Sequence, residues 1–194
     1  MSRIIAGAAG GNPLKSVPGD ATRPTTDRVK EALFSRLESW DVLSGARVLD
    51  LFAGSGALGI ESASRGARQV VLVEKAPKAA SVCQQNASMV NKALKASVVA
   101  VHRGSVDSVL DSFMSSSTGL PNRTFDLVVL DPPYPLTEEE LTVTLGKISK
   151  ILADDATVVI ERSARSPEPT WPEGLENFSD KKYGETHLWF AEPV

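Results

Sequence analysis

Residues 46–61 read ARVLDLFAGSGALGIE: an aliphatic run, a glycine-rich turn and the opening of a helix. Gly54, Gly56 and Gly59 give the spacing G-x-G-x-x-G. Small residues let a backbone turn tightly and come close to a nucleotide, and the third glycine lets helix pack on strand. Alone the pattern is weak, because a merely structural tight turn produces it too. Its continuation strengthens it. A second aliphatic run, 69–74 (QVVLVE), ends in Glu74, twenty positions beyond Gly54. A carboxylate there can accept two hydrogen bonds from ribose hydroxyls. Strand, loop, helix, strand and acid in that order predict a nucleotide-type site.

Outward from this unit the pattern repeats. Segments 97–102 (SVVAVH), 125–131 (FDLVVLD) and 157–161 (TVVIE) are further short β-branched runs. Between the runs lie stretches of helical composition, 57–65, 77–94, 105–114 and 138–152. Alternating strands and helices mean βαβ units and a parallel sheet covered on both faces. The end of the chain changes character: 178–183 (FSDKKY) and 186–192 (THLWFAE) flank Gly184-Glu185, which predicts an antiparallel hairpin closing the sheet. The expected fold is α/β, with a mostly parallel seven-stranded sheet. Ahead of it, Pro24 opens a helix from Thr26 to Ser39 whose Val29, Ala32, Leu33, Leu37 and Trp40 fall on one stripe. The first twenty residues can form only a short ribbon. Residues 1–40 are therefore expected to be an extension packed on a main domain spanning 41–194. Residues 115–124 predict a surface loop, and the proline-rich 164–177 an irregular connection.

Composition narrows the classes. At 194 residues one domain is expected, and 42% hydrophobic with 23% charged residues indicates neither disorder nor a membrane protein. No run approaches a membrane span, and the N-terminus makes a poor signal peptide. The single Cys83 excludes an internal disulfide and suits a reducing cytoplasm. A formal charge of −3 announces no global basic field, although residues 1–40 carry +2 against −5 for the rest. The two histidines, His102 and His187, offer no metal-ligand spacing and read as ordinary strand residues.

The second informative stretch is FDLVVLDPPYP at 125–135. Two consecutive prolines supply no N–H and hold φ, so Asp131-Pro132-Pro133-Tyr134 is a stiff turn. The plain reading is a strand stopped by prolines. In an open α/β sheet, however, ligands bind beyond the carboxyl ends of the strands at the switch point in strand order. If the fourth strand neighbours the first, this turn and the glycine loop converge on one cleft. Asp50, four residues ahead of Gly54, bears on the ligand. It either holds a cofactor's ammonium group or bonds backbone N–H groups of the loop; beside a pyrophosphate its charge would repel.

Methylation of a base's exocyclic amine by S-adenosylmethionine (SAM) fits these parts. Such a nitrogen is a poor nucleophile because its lone pair is delocalised. The Asp131 carboxylate and Pro132 carbonyl, set against its N–H bonds, localise that lone pair and stabilise the developing positive charge. Tyr134 offers a stacking face. No metal is required. Methylation at pyrimidine C5 would need a cysteine nucleophile, and Cys83 reads as mid-helix, away from either motif.

The chain resembles a class I SAM-dependent methyltransferase, and more closely the bacterial family that methylates N2 of a guanine in small-subunit (16S) ribosomal RNA. The marks are Arg3-Ile4-Ile5-Ala6-Gly7, the block RPTTDRVKEALF at 23–34, DLFAGSGALGIE at 50–61, Glu74, DPPY at 131–134, and Lys182-Tyr183-Gly184 with Thr186. The 23–34 block is the most specific. The resemblance implies a Rossmann-like fold in which Asp50, Phe52, Ala53, Gly54, Ser55, Gly56, Glu74 and Lys75 hold SAM, while Asp131, Pro132, Pro133 and Tyr134 form the catalytic turn. Arg3, Arg23, Thr25, Thr26 and Arg28 would face RNA. The acid many class I enzymes carry after the third strand is missing from His102-Arg103-Gly104-Ser105-Val106, so Ser105 and the Val106 N–H would take the cofactor adenine. The implied partner is 16S rRNA in the small ribosomal subunit or an assembly intermediate, and a cytoplasmic monomer is expected.

Two rivals follow from the same residues. One keeps the chemistry and moves it to adenine N6 or cytosine N4 of another nucleic acid, which the DPPY turn does not separate from guanine. The other is a non-catalytic nucleotide-binding module or an oxidoreductase on the glycine loop, against which Asp50 and the turn both argue.

Overall fold

The five aliphatic runs form parallel strands of one seven-stranded sheet, and the terminal hairpin completes it. The structure is a computed structural model and describes residues 2–19, 25–115 and 125–194. In chain order the elements are β1 (Ser2–Arg3), β2 (Pro13–Leu14), α1 (Asp27–Ser39), β3 (Arg47–Leu51), α2 (Ala57–Ser64), β4 (Gln69–Glu74) and α3 (Pro77–Leu94). These are followed by β5 (Val99–Arg103), α4 (Val106–Ser115), β6 (Phe125–Leu130), α5 (Glu138–Ile148), β7 (Leu152–Ser163), β8 (Leu175–Tyr183) and β9 (Thr186–Pro193). The main sheet runs β5-β4-β3-β6-β7-β9-β8, with β9 antiparallel to both β7 and β8. The chain moves outward from β3 to β5, then returns to lay β6 against β3. That reversal is the switch point, and it brings the end of β6 beside the end of β3.

Strand alternation separates two cores. Val48, Val70, Leu72, Leu127 and Val129 face α1, α2 and α3. Leu49, Leu51, Val128, Leu130 and Ile160 face α4 and α5. Three boundaries differ from expectation by three residues or more. Helix α5 stops at Ile148 because the Ile151 N–H turns back to the Ile148 carbonyl and Leu152 already pairs with Phe125. Strand β7 therefore starts earlier, and a register shift between Phe125 and Leu127 absorbs the intervening residues. Strand β8 also starts earlier, at Leu175, whose buried side chain anchors a pair with Pro193.

The N-terminal ribbon and α1 share a core with the sheet: Ile4, Leu14, Leu33, Phe34 and Leu37 are all buried in it. Burying a large aliphatic or aromatic side chain stabilises by roughly 1.5–3 kcal/mol, so this face is firmly seated. Thr26 caps α1, its hydroxyl accepting from the Val29 N–H at 3.3 Å. The predicted stripe is shifted by one flank, since Lys30 and Phe34 are buried while Ala32 and Trp40 are half-buried. Lys30 donates to the Arg3 carbonyl at 2.6 Å, and burial lowers its pKa although Glu61 opposes the shift.

Glu61, fully buried on α2, completes the clamp. Its carboxylate accepts from the Ile5 and Ala6 amides at 3.0 to 3.2 Å and from Arg65 Nε at 3.1 Å. Ser64 adds two bonds, donating to the Ala6 carbonyl at 2.6 Å and accepting the Ala9 amide at 3.0 Å. Gly7 has φ +86, and a Cβ there would lie 2.0 Å from the Ser64 carbonyl oxygen, so the close approach requires glycine. Within the mark Arg3 to Gly7, Ile5 to Gly7 dock onto α2, while the Arg3 carbonyl is held by Lys30 of α1.

Candidate active site

A cleft of about 2300 Å³ opens over the carboxyl ends of β3, β4, β6 and β7. Single small-molecule pockets run roughly 300–1,000 Å³, so a nucleoside cofactor and a second group fit together. Phe52, Ala53, Gly54 and Ser55 line it on one side, Asp131 to Tyr134 on the other, with Asp50, Glu74, Lys75, Ser105 and Val106 between. The two sequence motifs converge as the strand order requires.

The loop after β3 is made by unusual backbone angles. Phe52 has φ 60, the left-handed region in which a non-glycine residue is strained by about 1–3 kcal/mol. Gly54 has φ 59, and a Cβ added to it would meet nothing within 4 Å. Gly56 faces the other way: a Cβ there would lie 2.9 Å from Leu72 Cδ1 and 3.2 Å from Cys83 Sγ. Gly56 does not line the cleft; it leads into α2 in the left-handed conformation. Gly59 lets α2 pack on β4, since a Cβ there would lie 2.3 Å from Leu72 Cδ2. Cys83 is not remote from the motifs, as its sequence position suggested. It lies in the core behind Gly56, and burial pushes its thiol further from ionisation.

Two acids organise this half. Glu74 Oε2 accepts from the Gly54 amide at 2.7 Å and Oε1 from the Ala76 amide at 3.0 Å. A carboxylate has about four acceptor positions, so two remain for hydroxyl groups in the cleft. Asp50 is buried and accepts from the Gly59 amide at 2.9 Å. Burial raises its pKa to about 7 despite that bond, with Glu74 adding to the rise. Of the two roles open to Asp50, bonding the glycine turn is therefore present. Ser105 lines the cleft, but its hydroxyl also accepts the Ser108 amide at 3.1 Å at the start of α4. Asp107 lines the cleft as well and pairs with Lys147 at 3.0 Å.

The Asp131–Tyr134 turn is held from behind. The Leu136 amide donates to the Pro133 carbonyl at 3.0 Å. Thr137 then caps α5 reciprocally with Glu140, which fixes where the turn must end. Pro132 is buried, whereas Tyr134 is 72% exposed and Val143 on α5 is 57% exposed, giving the cleft an open apolar wall.

Among the residues expected to face RNA, Arg28 is exposed and lines the cleft. Arg3 lies off it, 64% exposed and 3.7 Å from Asp27. Thr26 caps α1, and Thr25 donates its hydroxyl to Glu161 Oε2 at 2.7 Å, so both threonines have work inside the fold. Arg23 lies outside the described residues. Sequence reasoning missed Glu161, which ends the aliphatic part of β7 at the cleft. The available signal was an acid at a strand's carboxyl end, as at Glu74 and Asp131. His187 pairs with Asp180 at 2.7 Å and stacks on Trp189, away from the cleft.

A sheet of this order, with a glycine loop and an acid-proline-proline-tyrosine turn at its switch point, is a class I methyltransferase fold. The chain belongs to the family described as Conserved hypothetical protein 95, whose model matches residues 2–192. Ribosomal RNA small subunit methyltransferase D of Escherichia coli (strain K12) is 34% identical over 183 residues, 94% of this chain and 85% of that one. Its Haemophilus influenzae namesake is 32% identical over 182 residues, covering 94% and 89%. A solved structure from Thermus thermophilus superposes with a TM-score of 0.77 at 29% identity over 99% of each chain. The kinship read from the 23–34 block, the glycine loop and the turn therefore stands.

Proposed function

We propose that this protein transfers a methyl group from SAM to the N2 amine of a guanine in 16S ribosomal RNA, within the small ribosomal subunit or an assembly intermediate. The observation that carries the reading is the meeting of the Gly54 loop, Glu74 and the Asp131–Tyr134 turn in one cleft at the β3/β6 switch point. The names of the Escherichia coli and Haemophilus influenzae relatives support the RNA and the particle.

The residues fit the cofactor. The open space above Gly54 admits a nucleoside close to the backbone, and Glu74 keeps acceptor positions for its ribose. Asp50, ionised, would hold an ammonium group, and Ser105 with the Val106 amide would take the adenine. Bound there, SAM supplies an electrophilic methyl group on a sulfonium. The chain does the rest. The Asp131 carboxylate and the Pro132 carbonyl accept the amine hydrogens, which localises the nitrogen lone pair and stabilises the charge that grows on it. Tyr134 stacks the base after it leaves its helix. Positioning for in-line attack supplies the remaining acceleration, and the reaction as drawn uses no covalent intermediate. Arg28, which lines the cleft, and Arg23 dock the RNA. Among the described residues no helix is long and apolar enough to cross a membrane.

The test is to incubate the protein and labelled SAM with small-subunit particles from cells lacking the gene, then map the product. N2-methylguanine at one 16S position is expected. Label on adenine N6 or cytosine N4 instead would move the reading to the rival amine.

A further inference from the structure

The turn at 131–134 accepts hydrogens from an exocyclic amine without choosing among guanine, adenine and cytosine. A second acid beside it is placed to choose. Leu130 and Ile160 pair in register on the parallel strands β6 and β7. Asp131 and Glu161 therefore leave neighbouring strands at the same level, about 5 Å apart in the backbone. Val159 faces the α1 side and Ile160 the opposite side, so strand alternation turns Glu161 toward α1. There Thr25, just ahead of α1, donates its hydroxyl to Oε2 at 2.7 Å. Among the described residues no other group donates a hydrogen bond to this carboxylate, although it lines the cleft. Burial raises its pKa and the Thr25 hydroxyl opposes the rise, as expected of a carboxylate short of donors.

Base chemistry supplies the missing donor. In guanine the atom beside N2 on the Watson–Crick edge is N1–H, a donor. In adenine the position beside N6 is N1, and in cytosine the position beside N4 is N3; both are lone pairs. A carboxylate adjacent to the amine site attracts the first and repels the other two.

We propose that Glu161 is a specificity-determining residue whose carboxylate accepts the N1–H of the target guanine while the N2 amine lies against Asp131 and Pro132. This rests on the guanine reading above. Thr25 is the positioning residue that holds the carboxylate in the cleft.

The test uses small-subunit particles carrying, at the mapped nucleotide, either guanine or 2,6-diaminopurine, which keeps the N2 amine but has a lone pair at N1. The unmodified enzyme should prefer guanine in kcat/KM by about tenfold or more, within the range that base-edge hydrogen bonds discriminate. Glu161→Gln should erase or reverse that preference, because an amide N–H can donate to N1. SAM affinity, measured alongside, should stay the same and reports that the variant is folded. Thr25→Val should narrow the preference in the same direction while leaving the acid in place. An active unmodified enzyme whose guanine preference survives undiminished in Glu161→Gln overturns the role of Glu161 alone. Failure of the unmodified enzyme to methylate the guanine particle overturns the functional reading beneath it.

Discussion

The Gly54 amide donates to Glu74 Oε2 at 2.7 Å, so the acid assigned to the cofactor also braces the loop that would cradle it. The Ala76 amide on Oε1 ties the same carboxylate to the chain leading into α3. Glu74→Ala should therefore do two things. Loss of hydrogen bonds to a charged group should weaken SAM binding by roughly 1.5–3 kcal/mol. The cofactor-free protein should also melt lower, because two amides lose their acceptor. Calorimetric titration and a thermal scan read both, and an unchanged dissociation constant would remove Glu74 from the site.

The glycines of the loop should fail in different ways. At Gly59 an added methyl meets Leu72 Cδ2 at 2.3 Å and Val70 Cγ1 at 3.0 Å. Gly59→Ala should cost about 1–3 kcal/mol of stability through overpacking. At Gly54 the space is open but φ is 59, so Gly54→Ala should cost about 1–2 kcal/mol in backbone strain and place its methyl in the cofactor's path. Urea unfolding should show Gly59→Ala as the less stable protein, and SAM titration should show Gly54→Ala as the weaker binder. The reverse pairing would contradict the assignment.

Asp50 makes stability fall with rising pH. Its folded pKa is about 7 against an ordinary value of 3.8, so between those values the native state holds a proton that the unfolded chain has lost. Unfolding then releases a proton, and stability declines from about pH 4 to about pH 7. Asp50→Asn keeps an acceptor for the Gly59 amide and carries no charge. Relative to the unmodified protein it should gain stability between pH 5 and pH 8, on the order of a few kcal/mol. Parallel curves for the two proteins across that range would show that Asp50 is ionised in the native state throughout.

Arg28 lines the cleft and is exposed, so its proposed partner is phosphate. Replacing Arg23 and Arg28 together with alanine should raise KM for the ribosomal particle and flatten its salt dependence, because fewer counterions are released. SAM affinity should not change. If the double variant fails to fold, the block belongs to the architecture and not to RNA docking.

The strands, the helices between them and both motifs were legible because they are written locally: aliphatic runs of strand length, glycines at fixed spacing, acids at strand ends. That β6 lies beside β3, which makes the cleft, entered only as a condition. The polar clamp on the N-terminus was not legible. Glu61 and Ile5 are 56 positions apart, and a helical pattern marks Glu61 and Lys30 only as polar, hence exposed. Their burial depends on each finding a partner that only the fold supplies. Thr25 and Glu161 are hidden for the same reason, separated by 136 positions and joined across the mouth of the cleft. The early starts of β7 and β8 depended on cross-strand pairing, which no single segment records.

Tyr134, exposed at the rim, should act through its ring. Tyr134→Phe should retain much of the activity, whereas Tyr134→Ala should lose the base stacking worth about 1–3 kcal/mol. Both are read in single-turnover assays, and a phenylalanine variant as inactive as the alanine variant would transfer the role to the hydroxyl.

The central claim is that Asp131 stabilises charge developing on the guanine amine, and single-turnover methyl transfer by Asp131→Ala tests it most directly. With saturating labelled SAM and small-subunit particles, the variant should bind SAM normally and transfer the methyl group on the order of 10²–10³ times more slowly, the loss typical of one preorganised transition-state contact. Near-normal transfer by Asp131→Ala would contradict the mechanism.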